Sequence, residues 1–185
     1  MNPPRTFSSG HLDRHRARHA SADGYGRHRH LYLHDTIRAL ARSLADTHPE
    51  GVNWLDYGCG KGGFIEEIRP LGLFASITGH DPAVAAFRAR PAGTYDLVTC
   101  LDVIDVVEAK YLDAVLRDVA AFTARLAVFD CLTRPRPDSP LRPHAPFYWT
   151  HVVQQHMNVV KTQVEFPGME GFERAVIVAA PRENA

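Results

Sequence analysis

The sequence predicts an α/β protein: a single doubly wound, mostly parallel sheet with an antiparallel C-terminal strand. Three observations predict it. Short apolar runs at 52–55, 74–79, 95–101 and 126–131 alternate with stretches of helical spacing, the order that yields parallel strands joined by crossover helices. The stretch Trp54-Leu55-Asp56-Tyr57-Gly58-Cys59-Gly60-Lys61-Gly62-Gly63-Phe64 passes from strand through a glycine turn into a helix, which is half of a βαβ unit. Last, two β-rich runs at 159–166 and 174–180 flank Pro167-Gly168-Met169-Glu170-Gly171 and read as a terminal hairpin.

At 185 residues the chain suits one domain with a real core. A formal net charge of zero gives the whole molecule no bias toward nucleic acid or membrane. No apolar run approaches the roughly 18 residues of a membrane span, and arginines and histidines interrupt the N-terminus. Three cysteines without a C-x-x-C pair suggest no disulfide framework. The expected location is the cytoplasm.

Residues 1–30 differ from the rest. Six arginines face only Asp13 and Asp23, a local charge of +4, and His11, His15 and His19 recur every four residues. A metal site or a nucleic-acid arm would need further ligands or a frame. The expectation is a polar, partly disordered basic arm, with residues 31–185 forming the domain proper. Leu33, Ile37, Leu40 and Leu44 then mark one face of a helix over about 31–47, stopped by Pro49 and Gly51. The run at 52–55 is the first strand. Its glycines permit a tight turn and close approach of a ligand to the backbone.

After the helix at 64–69 comes a strand at 74–79, ending in His80-Asp81-Pro82. An acid at the carboxyl end of a second strand can accept both hydroxyl protons of a ribose, and it can equally cap the turn before Pro82. Only thirteen residues separate Asp81 from Tyr95, too few for a helix, a strand and their loops. The strand at 95–101 leads into Asp102-Val103-Ile104-Asp105. The helix after it carries Tyr111, Leu112, Val115, Leu116, Val119 and Phe122 on one stripe. Past the strand at 126–131, prolines at 135, 137, 140, 143 and 146 favour a stiff extended path. Phe147, Tyr148 and Trp149 open a short helix.

Asp56, Gly58, Gly60 and Gly62 fit D/E-x-G-x-G-x-G, and this block resembles motif I of the class I S-adenosylmethionine-dependent methyltransferases. Residues 96–106 resemble that family's second block, D-L-V-x-x-x-D-V-L-E-H, with Asp105 and Val106 at the usual Glu and His positions. The resemblance covers about residues 31–180. It implies the Rossmann-like fold, from which this chain departs in that its third strand unit is shortened or lost, and S-adenosylmethionine as cofactor. It also implies that Asp56, Gly58, Cys59 and Gly60 hold the methionine part, Asp81 with Pro82 the ribose, and Leu101 with Asp102 the purine side. Gly58, Gly60 and Gly63 also satisfy G-x-G-x-x-G with Asp81 downstream, the dinucleotide pattern. A carboxylate at Asp56 would repel a pyrophosphate and suits a sulfonium bearing an ammonium group.

Methyl transfer needs a base only if the acceptor must lose a proton. The candidates are His144, His151 and Asp102. Tyr25, Arg134, Arg136, Arg142, Tyr148 and Trp149 are candidates for the acceptor pocket, the arginines as clamps for an anionic group. The expected acceptor is a small molecule or a glycan. The other readings are a protein or RNA methyltransferase docking through the basic arm, and a relative that binds cofactor or partner without catalysis. No metal is expected. Cys59, Cys100 and Cys131 read as small buried hydrophobes.

Overall fold

The computed structural model describes residues 6–21, 24–134, 143–169 and 172–182. Six strands form one sheet in the order β2-β1-β3-β4-β6-β5. β1 (Asn53–Tyr57), β2 (Ser76–His80), β3 (Tyr95–Leu101) and β4 (Thr123–Leu132) run parallel. β6 (Arg174–Ala180) is antiparallel to β4, and β5 (Asn158–Glu165) pairs antiparallel with β6 on the outside. This is the expected class.

The apolar runs became the central strands because both of their faces are covered. Leu97, Val98 and Cys100 of β3 are fully buried, as are Ala127, Val128 and Phe129 of β4. One core cluster joins these strands to α2 (His34–Ala45) and α3 (Gly63–Ile68) through Ile37, Leu44, Phe64 and Ile68. The opposite cluster takes in α4 (Ala109–Phe122) and α5 (Pro146–Gln154) through Val115, Leu116, Val119, Trp149 and Val153. The expected stripes on α2 and α4 are therefore the faces that close the two sides of the sheet. The three cysteines are free and buried.

Between β2 and β3 the chain makes a single 3-10 turn, Ala85–Phe87, and no strand. β2 is consequently an edge, and side chains fasten what replaces the missing unit. The imidazole Nδ1 of His80 lies 3.2 Å from the Phe87 carbonyl and 3.1 Å from that of Ala89, and the Asp81 N–H donates to the Phe87 carbonyl. Arg90 donates to both carboxylate oxygens of Asp118 on α4 and lies 4.8 Å from the Phe122 ring centroid. Tyr57 donates to the same carboxylate at 3.0 Å.

The N-terminal arm contains a helix, α1 (Ser9–Ser21). It is tied down at its start, where the Ser8 N–H donates to Glu108 (3.0 Å) and Phe7 packs against the core cluster of the α4 side. An amphipathic pattern spaced by four residues is enough for a helix once the surface it covers exists. Among the described residues no helix is long and apolar enough to cross a membrane.

Asp118 is buried, so removal of its cation leaves a charge with one hydroxyl for company. Arg90→Ala should lower stability by about 1–3 kcal/mol, reduced from a fully buried pair because Arg90 is partly exposed. Urea unfolding of this variant, Asp118→Ala and the double variant checks it. Equal losses in the single and double variants are the expected signature of one coupled pair.

Candidate functional site

The turn after β1 is built for close approach. Gly58 (φ 82°) and Gly60 (φ 54°) adopt left-handed backbone. A Cβ at Gly58 would meet Val103 at 2.2 Å, and one at Gly60 would meet the Gly26 carbonyl oxygen at 2.5 Å. The loop is held by backbone bonds from Gly58 and Cys59 to the His80 carbonyl (2.7 and 3.2 Å) and from Lys61 to the Gly26 carbonyl (2.6 Å). Asp81, at the end of β2, accepts from the Gly60 N–H (3.0 Å) and the Ala83 N–H (2.8 Å). It thus caps its own turn and steadies the glycine loop, while each oxygen keeps a lone pair for another donor.

Asp56 sits just before the glycines with its carboxylate buried. Thr99 on β3 donates to it at 2.7 Å and accepts from the Trp54 indole at 2.9 Å. Burial pushes the Asp56 carboxyl up to about 7, against the bond from Thr99, with Asp81 adding to the rise. Among the described residues it makes no ion pair.

These residues open on one cavity of about 960 Å³ at the carboxyl ends of the strands, where ligands bind in open α/β sheets. Asp56, Gly58, Cys59, Gly60, Asp81, Pro82, Leu101 and Asp102 all line it, and so does Tyr25. α1 covers it with Leu12, His11, His15 and His19. Phe64 and the segment 26–32 close a further side. The far rim is apolar: Leu31, Phe166 and Phe172 line the cavity and are 61%, 38% and 55% exposed.

A buried ionic cluster stands between the glycine loop and that rim. Arg174, the first residue of β6, donates to both oxygens of Asp130 (2.7 Å each) and to Asp102. Tyr32 donates to Asp130 at 2.5 Å. Burial pushes Asp130 up to about 6 although Arg174 opposes it. For Asp102 burial also acts upward, but Arg174 holds its carboxyl below the usual range. Asp102 has φ 54°, a strained value for a non-glycine residue, and such residues gather at functional sites. His30 Nε2 is 4.0 Å from Asp102 and its Nδ1 is 3.7 Å from Asp130. Burial drives the His30 imidazole down to about 4, so it is neutral near pH 7. His30, Asp102 and Asp130 place three donor atoms within 4.8 Å of one another, but the guanidinium of Arg174 already pairs with both carboxylates.

Other expected site residues lie elsewhere. Trp149 is buried in the core and donates from Nε1 to the Leu132 carbonyl at 3.2 Å. Tyr148 stacks on His144 at 4.0 Å, and His151 is exposed beside Gln155. None of these four lines the cavity. The reason is that α5 packs along the sheet face rather than over its carboxyl edge, so Trp149 fills core and Tyr148 packs against it. Arg134 pairs with Glu173 at 3.2 Å and is also absent from the cavity wall. Arg136 and Arg142 lie outside the described residues. Sequence reasoning missed His30, Tyr32 and Arg174 as wall residues. No local pattern marks Arg174, because its partners are 44 and 72 residues away. Burial raises the thiols of Cys59, Cys100 and Cys131, which keeps them protonated and inert.

A family model described as a methyltransferase domain matches residues 25–163. No curated protein sequence matches the chain significantly. Among solved structures, the fold is similar to magnesium protoporphyrin IX methyltransferase from Synechocystis PCC 6803 with bound SAM. The TM-score is 0.64 at 17% identity over 93% of this chain and 97% of that one. It is also similar to 1,6-didemethyltoxoflavin-N1-methyltransferase from Burkholderia thailandensis, with TM-score 0.63 and 13% identity over 99% and 94% of the two chains. An amino pentose methyltransferase from Micromonospora echinaspora gives a TM-score of 0.53 at 15% identity over 81% and 92%. With residues 25–163 of its 185 inside the family model, the chain belongs to the methyltransferase-domain family and is a class I S-adenosylmethionine-dependent methyltransferase.

Proposed function

We propose that the chain methylates a small organic molecule with an apolar, ring-bearing body, which enters past Leu31, Phe166 and Phe172. The observation that carries this reading is the division of one cavity into two ends. Glycine backbone and acids line one end, and exposed apolar side chains rim the other. A cavity roofed by α1 suits a small acceptor better than a macromolecular one. Similar structures named for 1,6-didemethyltoxoflavin and magnesium protoporphyrin IX support a ring-bearing acceptor.

The residues present fit the cofactor. Gly58 and Gly60 line the cavity, and a Cβ at either position would clash with Val103 or with the Gly26 backbone, so the loop keeps this path only with glycine there. Asp56 is a buried carboxylate awaiting a cation, and we assign it with Gly58, Cys59 and Gly60 to the methionine end. Asp81 and Pro82 take the ribose, and Leu101 and Asp102 stand on the purine side. When bound, S-adenosylmethionine supplies an electrophilic methyl group on a good leaving group. The protein's part is then alignment and exclusion of water. Asp102 is itself engaged by Arg174, and His30 Nε2 lies 4.0 Å from it.

A screen of ring-bearing small molecules, glycans and peptides with isotope-labelled methyl donor tests the acceptor class. Label on the small ring-bearing set alone is the expected result, and transfer only to glycans or peptides would remove the proposal. Asp81→Ala should weaken S-adenosylhomocysteine at least about tenfold in calorimetry, the loss of a charge-assisted hydrogen bond. The pH dependence has a definite sign. A cation beside Asp56 favours its ionised form, so the carboxyl falls below its free value of about 7 on binding. Affinity should therefore rise with pH up to about 7 and level off above it. Asp56→Asn should flatten that rise.

A further inference from the structure

The sheet edge beside Asp81 is short of a strand, and the structure fills the same side of the cavity from the N-terminus. α1 turns its every-fourth-residue histidines inward: His11, His15 and His19 line the cavity together with Phe7, Leu12 and Tyr25. Their rings form a continuous row. Phe7 stacks on His11 (5.6 Å between centroids, 11° between planes), and His11 lies 4.3 Å from His15. His15 lies 6.1 Å from Tyr25, whose ring is 4.8 Å from His19. The Tyr25 hydroxyl and His15 Nδ1 are 2.8 Å apart, which fixes both rings in place.

The row has a direction. One end faces Asp81, whose charge acts on both His19 and Tyr25. The other end reaches Glu108, to which the Ser8 N–H donates. Val103 and Val106 of the loop after β3 line the same cavity. A base carried on a ribose held at Asp81 would face the part of the cavity wall that these valines and the aromatic row form.

Resting on the cofactor assignment above, we propose that the α1 row, centred on His15 and Tyr25, is the purine-binding wall of this protein and takes the place of the missing strand. Aromatic and imidazole faces stack on a purine without needing its hydrogen-bonding edge. Burial, with His11, Arg18, His19 and Arg14 nearby, holds the His15 imidazole down at about 4, so its ring is neutral at working pH. The spacing of the histidines thereby has a ligand-binding reason that composition alone does not supply.

The test uses the full chain and two ligands, S-adenosylhomocysteine and 5′-deoxy-5′-methylthioadenosine, in calorimetry. The second ligand keeps the adenine and ribose and lacks the amino acid. His15→Ala should weaken both by about tenfold, and His15→Phe should restore most of that loss because stacking survives. Asp56→Ala should weaken the first ligand and leave the second nearly unchanged. Wild-type affinity of His15→Ala for both ligands overturns the proposal. Equal weakening in His15→Ala and His15→Phe also overturns it, since the hydroxyl bond to Tyr25 would then be what matters. If His15→Ala melts markedly lower than wild type, Tyr25→Ala against Tyr25→Phe repeats the comparison. A wild-type protein that binds neither ligand removes the cofactor assignment itself, a different failure from a tight-binding wild type with an indifferent variant.

Discussion

One hydroxyl holds the site in register. Thr99, fully buried on β3, accepts from the Trp54 indole and donates to the Asp56 carboxylate, so a polar bridge crosses between β1 and β3 inside an apolar core. Buried polar groups are tolerated when each is satisfied, and this one is satisfied only in the parallel register that sets Asp56 opposite Thr99. A slip of one residue would turn Asp56 to the other face of the sheet. The bridge thus couples strand pairing to the direction of the carboxylate. Binding chemistry at the glycine turn depends on that direction.

The reduced sheet edge shows how a fold tolerates loss of a unit. An exposed edge strand invites pairing with other chains, and β2 is here an edge of only five residues. The connection after it is pinned by the Arg90–Asp118 pair and by the bonds of His80 and Asp81 to carbonyls within it. A short connection can be rigid when its polar groups all find partners. On the cavity side, α1 supplies side-chain surface in place of the missing strand, so enclosure is regained from a segment distant in sequence.

At the other end of the cavity, Arg174 joins the antiparallel strand to the parallel ones through charge. Asp102 follows β3 and Asp130 lies near the end of the neighbouring β4, and two carboxylates so close would repel without a cation between them. The guanidinium resolves this with a planar fork of donors. Its position at the start of β6 follows from pairing with Leu132 of β4. The same ion pairs that fasten the hairpin therefore shape the cavity wall.

The fold and the cofactor end were legible in sequence because their signals are local. The glycines at 58, 60 and 62, the acids at 56 and 81 and the apolar runs of β1, β3 and β4 act over a few residues, where backbone sterics and strand burial leave little choice. The pattern also showed that the unit after β2 was too short. What it could not tell was which distant segments would converge. Tyr148 and Trp149 looked like pocket residues until packing assigned α5 to the sheet face, and the basic arm looked polar because its cover, the cavity, exists only after folding. His30, Tyr32 and Arg174 meet Asp102 and Asp130 across long separations. Sequence alone determined the sheet, its glycine turn and the acids beside it; tertiary structure decided the roof, the ionic cluster and the apolar rim, because contacts between remote segments carry no local pattern.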